Sequence, residues 1–285
     1  MLAIRYVIVD VFTEVPFCGN QLAVFTDARE IPEEFLQQLA REFNFSETVF
    51  VYPPDAGGHA KLRIFTPVKE ISFAGHPVPG AAFVLAGPLQ LEQIVLETKE
   101  EKIPVTVDRE GPRIIFGWME QPVPKFKSFA DSASLLEALG LSDSILPVDL
   151  YDNGIQHVMV NVSDAKAVQA IDPDMELLSQ LPHAGTSCFA GSGTDFVTRV
   201  FAPKLGVFED PATGSAAGSL AAHLMRYGVV PSGSEITMHQ GGCIARPSIL
   251  KAVAYGDSNS IQQVVVGGSA VIVSRGEFRF QPFDL

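Results

Sequence analysis

The feature that most constrains this chain is a faint internal duplication, because a repeated supersecondary pattern dictates a repeated fold. Val9-Asp10-Val11-Phe12 resembles Val148-Asp149-Leu150-Tyr151. Each copy passes through a glycine turn into an apolar run, Gly19-Asn20-Gln21-Leu22-Ala23-Val24-Phe25 in one and Gly154-Ile155-Gln156-His157-Val158-Met159-Val160 in the other. Arg63-Ile64-Phe65-Thr66-Pro67 returns as Arg199-Val200-Phe201-Ala202-Pro203, and Ile94-Val95-Leu96 as Ile236-Thr237-Met238. Small-residue segments begin at Gly75-His76 and Gly214-Ser215. From Asp10, Arg63, Gly75 and Ile94 the offsets are 139, 136, 139 and 142. One match means little, but four in the same order argue for two similar halves, divided near Gln121-Pro122-Val123-Pro124-Lys125. The expected lobes are residues 1–120, completed by a C-terminal strand at about 272–285, and residues 121–271.

Within each half most segments read as short strands rich in β-branched and aromatic residues, such as Ile4–Phe12, Thr48–Tyr52, Leu62–Phe65 and Ile114–Trp118. Apolar residues at helical spacing predict surface helices over Pro32–Glu42, Ser132–Leu139 and Pro173–Leu181. Pro77–Ala86 and Ser215–Tyr227 are small or apolar nearly all round, which predicts buried helices. The expected class is therefore α+β, with two pseudo-symmetric lobes. Each lobe is a curled, mostly antiparallel sheet wrapped around a central buried helix. If the lobes face each other, the free N–H groups and positive dipole ends of both helices can converge on one cleft suited to a carboxylate or an enolate-type anion.

Composition narrows the partners. The 285 residues carry a net charge of −13, which disfavours nucleic acid and anionic membrane surfaces. The apolar stretch Gly80–Gly87 is far short of the roughly 20 residues a membrane helix needs. Cys18, Cys188 and Cys243 are widely spaced and form neither a disulfide framework nor a zinc motif. The opening residues read as a strand and not a signal peptide, so a cytoplasmic protein is expected. The sequence contains no Walker A, GxGxxG, HExxH or GxSxG pattern, and neither a cofactor nor a metal is expected.

Several residues invite both a catalytic and a structural reading. Glu47 opens an apolar strand, where partial burial would raise its pKa for proton transfer; alternatively Asn44-Phe45-Ser46-Glu47 is a capping box. Asp210-Pro211 precedes the second buried helix and is expected to be its N-cap. His76 is either an acid/base or a satisfied structural histidine. Matching the halves sets Ser187-Cys188-Phe189 against Glu47-Thr48-Val49, so a thiol base is weighed against a buried, inert cysteine.

Five segments together resemble a known family: Gly19–Phe25, Asn44–Thr48, Phe65-Thr66-Pro67, Phe73-Ala74-Gly75-His76-Pro77 and Glu209-Asp210-Pro211-Ala212-Thr213-Gly214-Ser215-Ala216-Ala217-Gly218. They are similar, collinearly and over nearly the whole chain, to the phenazine-biosynthesis PhzF-like family, whose fold is that of diaminopimelate epimerase. The resemblance implies a cofactor-independent isomerase that moves a proton within a small cyclic amino or hydroxy acid, with trans-2,3-dihydro-3-hydroxyanthranilate the expected substrate. An epimerase or isomerase of another small acid is the alternative, followed by a non-catalytic small-acid binder. By motif, Glu47 is the proton shuttle, and His76 and Asp210 hold and polarise the substrate. Ser215 and the loops at Gly75 and Gly214 bind its carboxylate, with Asn20 and Ser46 completing the binding set. Epimerases of this fold use two cysteines at the helix entrances. Here Gly75-His76 and Gly214-Ser215 stand there, so a two-thiol mechanism is not expected. The resemblance further implies a homodimer.

Overall fold

A computed structural model describes residues 2–99 and 101–280. Its strands repeat one pairing programme twice. In the first half, Leu2–Val11 pairs antiparallel with Asn20–Phe25, which runs parallel to Glu47–Tyr52. That strand pairs antiparallel with Ala60–Phe65, which is parallel to Gln93–Glu97. Lys102–Glu110 and Arg113–Gln121 follow as antiparallel neighbours. The second half repeats the same alternation through Asp149–Asp152, Gln156–Asn161, Gly185–Ser192, Asp195–Ala202, Glu235–Gln240, Ser248–Gly256 and Ile261–Gly268. The duplication in sequence is thus a duplication in hydrogen bonding.

Lys125–Ser128 pairs with Asp149–Asp152 within the second half, whereas Ala270–Phe280 returns to the first half and pairs with Leu2–Val11. Residues 281–285 of the expected C-terminal strand lie outside the described residues. Arg113–Gln121 lies antiparallel to Ile261–Gly268, joining the lobes into one 18-stranded sheet system.

Two helices, Pro77–Leu89 and Gly214–Arg226, occupy the lobe centres. Small residues let the strands close on them. A Cβ on Gly80 would lie 2.6 Å from a methyl of Leu22, and one on Gly218 would lie 2.3 Å from Gln121 Oε1. One continuous apolar core surrounds both helices. The surface helix Glu33–Phe43 buries Leu36, Leu39 and Ala40 against a smaller cluster with Phe25 and Phe50. Ser132–Ala138, Ala165–Ala170 and Met175–Gln180 cover the outer face of the second lobe. The predicted helices agree to within two or three residues at each end. Ala165–Ala170, capped by Asp164, is an addition. Among the described residues, no helix is long and apolar enough to cross a membrane.

Candidate active site

The two central helices begin against each other. A Cβ on Gly75 would lie 2.0 Å from the Ser215 nitrogen, so only glycine permits this backbone contact. The N-cap residues, His76 and Thr213, make no side-chain capping bond. First-turn N–H groups and the positive ends of both dipoles therefore face the same small space. Glu47, Gly75, His76, His157, Asp210 and Ser215 are among the residues lining it. A larger cavity of about 610 Å³ opens elsewhere, around Phe12, Cys18, Phe116, Cys243 and Ile249, and contains none of these groups.

Strand order explains the convergence. Asn20 and Glu47 are the first residues of neighbouring parallel strands, so both stand at the same end of the sheet. Asp210 closes the strand Val207–Asp210 in the other lobe, and its carboxylate reaches across the lobe boundary. Asp210 Oδ1 accepts from Asn20 Nδ2 at 2.8 Å and from Ser46 Oγ at 2.7 Å, while Oδ2 accepts from Thr213 Oγ1 at 2.6 Å. Glu47 differs sharply. Its Oε2 is buried without a hydrogen-bond partner, lying 3.3 Å from His76 Nδ1 in a contact too poorly aligned to count as a hydrogen bond.

These surroundings separate the two acids. Burial raises Glu47 well above its ordinary value, and the nearby Asp210 charge raises it further. Burial also raises Asp210, but its three donors oppose the shift and favour its ionised form. Burial pushes His76 down to about 3, opposed by the Gln21 carbonyl, so the imidazole is neutral. The site thus pairs an anchored anion with an unanchored carboxyl group that can gain or lose a proton.

Two sequence expectations need correction. Asp210 is not the N-cap of the second central helix. Thr213 holds that position, and its hydroxyl donates to Asp210 instead of capping. Glu47 begins a strand, which removes the alternative of a capping box. The second correction concerns register. Leu22 pairs with Glu47 and Thr48 with Phe65; in the other lobe His157 pairs with Gly185 and Thr186 with Phe201. Phe65 and Phe201 are duplicate residues, so the counterpart of Glu47 is Gly185, and Cys188 corresponds to Phe50. Cys188 is buried in the outer cluster of the second lobe, where burial pushes its thiol up to about 12. It is not a base for this cleft.

The remaining expected residues come together here. Asn20 also donates to the Ala212 carbonyl at 2.9 Å, tying the lobes, and Gly214 abuts Gly75. Sequence reasoning missed His157, whose Nε2 lies 2.8 Å from Ser215 Oγ. It lies in the repeated run Gly154–Val160, where its duplicate, Leu22, is an ordinary core residue. Replacing Asp210 with Ala would remove the acceptor shared by Asn20, Ser46 and Thr213. It is expected to lower stability by roughly 2–4 kcal/mol, with Asp210→Asn losing less, as read from urea unfolding.

Comparison with known proteins agrees with this architecture. The family model described as "Phenazine biosynthesis-like protein" matches residues 9–276. A trans-2,3-dihydro-3-hydroxyanthranilate isomerase from Pseudomonas fluorescens is 43% identical over 272 residues, covering 95% of this chain and 98% of the relative. Its Pseudomonas aeruginosa namesake is 41% identical with the same coverage. A crystal structure of a Bacillus anthracis phenazine biosynthesis protein of the PhzF family superposes with a TM-score of 0.86 at 26% identity, covering 98% of this chain and 100% of that one. By sequence and by structure alike, the chain belongs to the phenazine biosynthesis-like (PhzF) family.

Proposed function

We propose that this chain is an isomerase that moves a proton within trans-2,3-dihydro-3-hydroxyanthranilate and needs no cofactor to do so. One observation carries the reading: a single buried carboxyl group without a hydrogen-bond partner, Glu47, faces two helix N-termini. The helix starts at Gly75 and Gly214, with Ser215, favour the substrate carboxylate. Asp210, Asn20 and Ser46 form the polar wall that holds its amino and hydroxyl groups, and His76 offers a neutral ring for hydrogen bonding.

In this reading Glu47 takes the proton from the ring carbon bearing the hydroxyl. The electron pair moves through the conjugated double bonds, and Glu47 returns a proton to a second ring carbon on the same face. The enol so formed tautomerises to a ketone, and no atom is gained or lost. His76 is a poor alternative shuttle because its burial disfavours the protonated ring. A two-base epimerisation is disfavoured because Gly185 supplies no side chain at the position equivalent to Glu47. The void at the helix starts is small, about 30 Å³. The test is direct. Purified protein mixed with the dihydro-hydroxyanthranilate should convert it to the isomeric ketone, followed by proton NMR. An unchanged substrate spectrum would refute the assignment.

A further inference from the structure

One buried group facing the cleft, His157, takes no part in the proposed proton transfer. His157 Nε2 lies 2.8 Å from Ser215 Oγ, whereas Nδ1 is buried without a hydrogen-bond partner. A buried N–H without an acceptor is rarer than an idle acceptor lone pair. The hydrogen therefore sits on Nε2 and is donated to Ser215 Oγ. That leaves the Ser215 O–H free to donate into the cleft.

Gly185 makes this arrangement possible. A Cβ there would stand 2.7 Å from His157 Nδ1 and 3.1 Å from Cε1, displacing the ring from Ser215. Gly185 is also the duplicate of Glu47. The second lobe has therefore given up a side chain at the base position, and an imidazole borders the space. We propose that His157 is a positioning residue, holding the Ser215 hydroxyl as a hydrogen-bond donor to the substrate's carboxylate. The identity of that ligand rests on the isomerase reading; the direction of the hydrogen bond does not.

Long-range proton–nitrogen NMR of the unliganded protein at neutral pH should show His157 as the Nε2–H tautomer, assigned through the ring's own carbons. Anthranilate serves as a probe that carries the carboxylate but cannot turn over. His157→Leu should weaken anthranilate binding about 10- to 100-fold, the worth of a hydrogen bond to a charged group. Ser215→Ala should do the same, and the double variant should be no weaker than Ser215→Ala alone. His157→Gln, whose amide can donate to Ser215, should recover most of the loss. An Nδ1–H tautomer, additive losses, or a native protein that does not bind anthranilate would each overturn the proposal. The tautomer is read on native protein, so it decides even if His157→Leu fails to fold. A native protein that shows the tautomer and the coupling but does not turn over the dihydro-hydroxyanthranilate would instead reject the isomerase reading alone.

Discussion

Glu47→Gln is expected to lower turnover by roughly two to four orders of magnitude, the usual worth of a positioned acid/base. The amide keeps the shape of the carboxyl group but cannot carry a proton. Substrate binding should survive, because the helix starts and the Asp210 network are untouched. The pH profile gives an independent check. The carboxyl group is raised by burial and by Asp210, so the acid limb of kcat/KM should lie above the ordinary carboxylate range. Stability should respond in the opposite sense to activity. A carboxyl group whose folded pKa is raised contributes stability that is complete at low pH and lost as pH rises through that raised value. Glu47→Gln should therefore gain stability over the native protein as pH rises. Near-normal turnover by the variant would move the proton path to another group.

The second large effect is a steep acid unfolding. Burial is the main cause holding four histidines neutral: His76 and His157 are pushed down to about 3, and His183 and His223 to about 4. In the unfolded chain all four protonate near the ordinary value of about 6.5. A depressed folded pKa means stability that is present above the unfolded value and lost as pH falls toward the folded one. Glu47 and Asp210, both raised, oppose part of this loss. The four histidines outnumber the two opposing acids, so the unfolded state binds more protons than the native state over this interval. Stability should then fall by roughly 1.4 kcal/mol per pH unit for each excess proton between about pH 6 and about pH 4.5. Urea unfolding across that interval measures the slope, and a flat profile would show that these rings are not held neutral.

How far the sequence could be read depended on whether a residue's partners were local or distant. The two lobes and their central helices were legible because apolar periodicity and the repeated landmarks report nearest-neighbour packing. Glu47, His76 and Asp210 were legible because each sits in a distinctive segment. Asp210 was nevertheless misassigned as a cap. A capping rule considers only the following N–H groups, whereas Asn20 and Ser46, from the other lobe, claim the carboxylate. The register slip at Cys188 has a similar origin. The repeated landmarks lie on other segments, so the register of this strand was only interpolated between them; its own pairing matches Thr48 with Thr186. His157 escaped notice because its importance lies in a contact with Ser215, 58 residues away, and in the absence of a side chain at Gly185.

In the proposed reaction one carboxyl group on one face of the substrate both takes and returns the proton. This is tested most directly by following a label placed on the hydroxyl-bearing ring carbon. With deuterium there and ordinary water as solvent, early product should carry part of that deuterium on the second ring carbon, on the face from which it was removed. Hydrogen delivered to the opposite face would require a second base and would contradict the account.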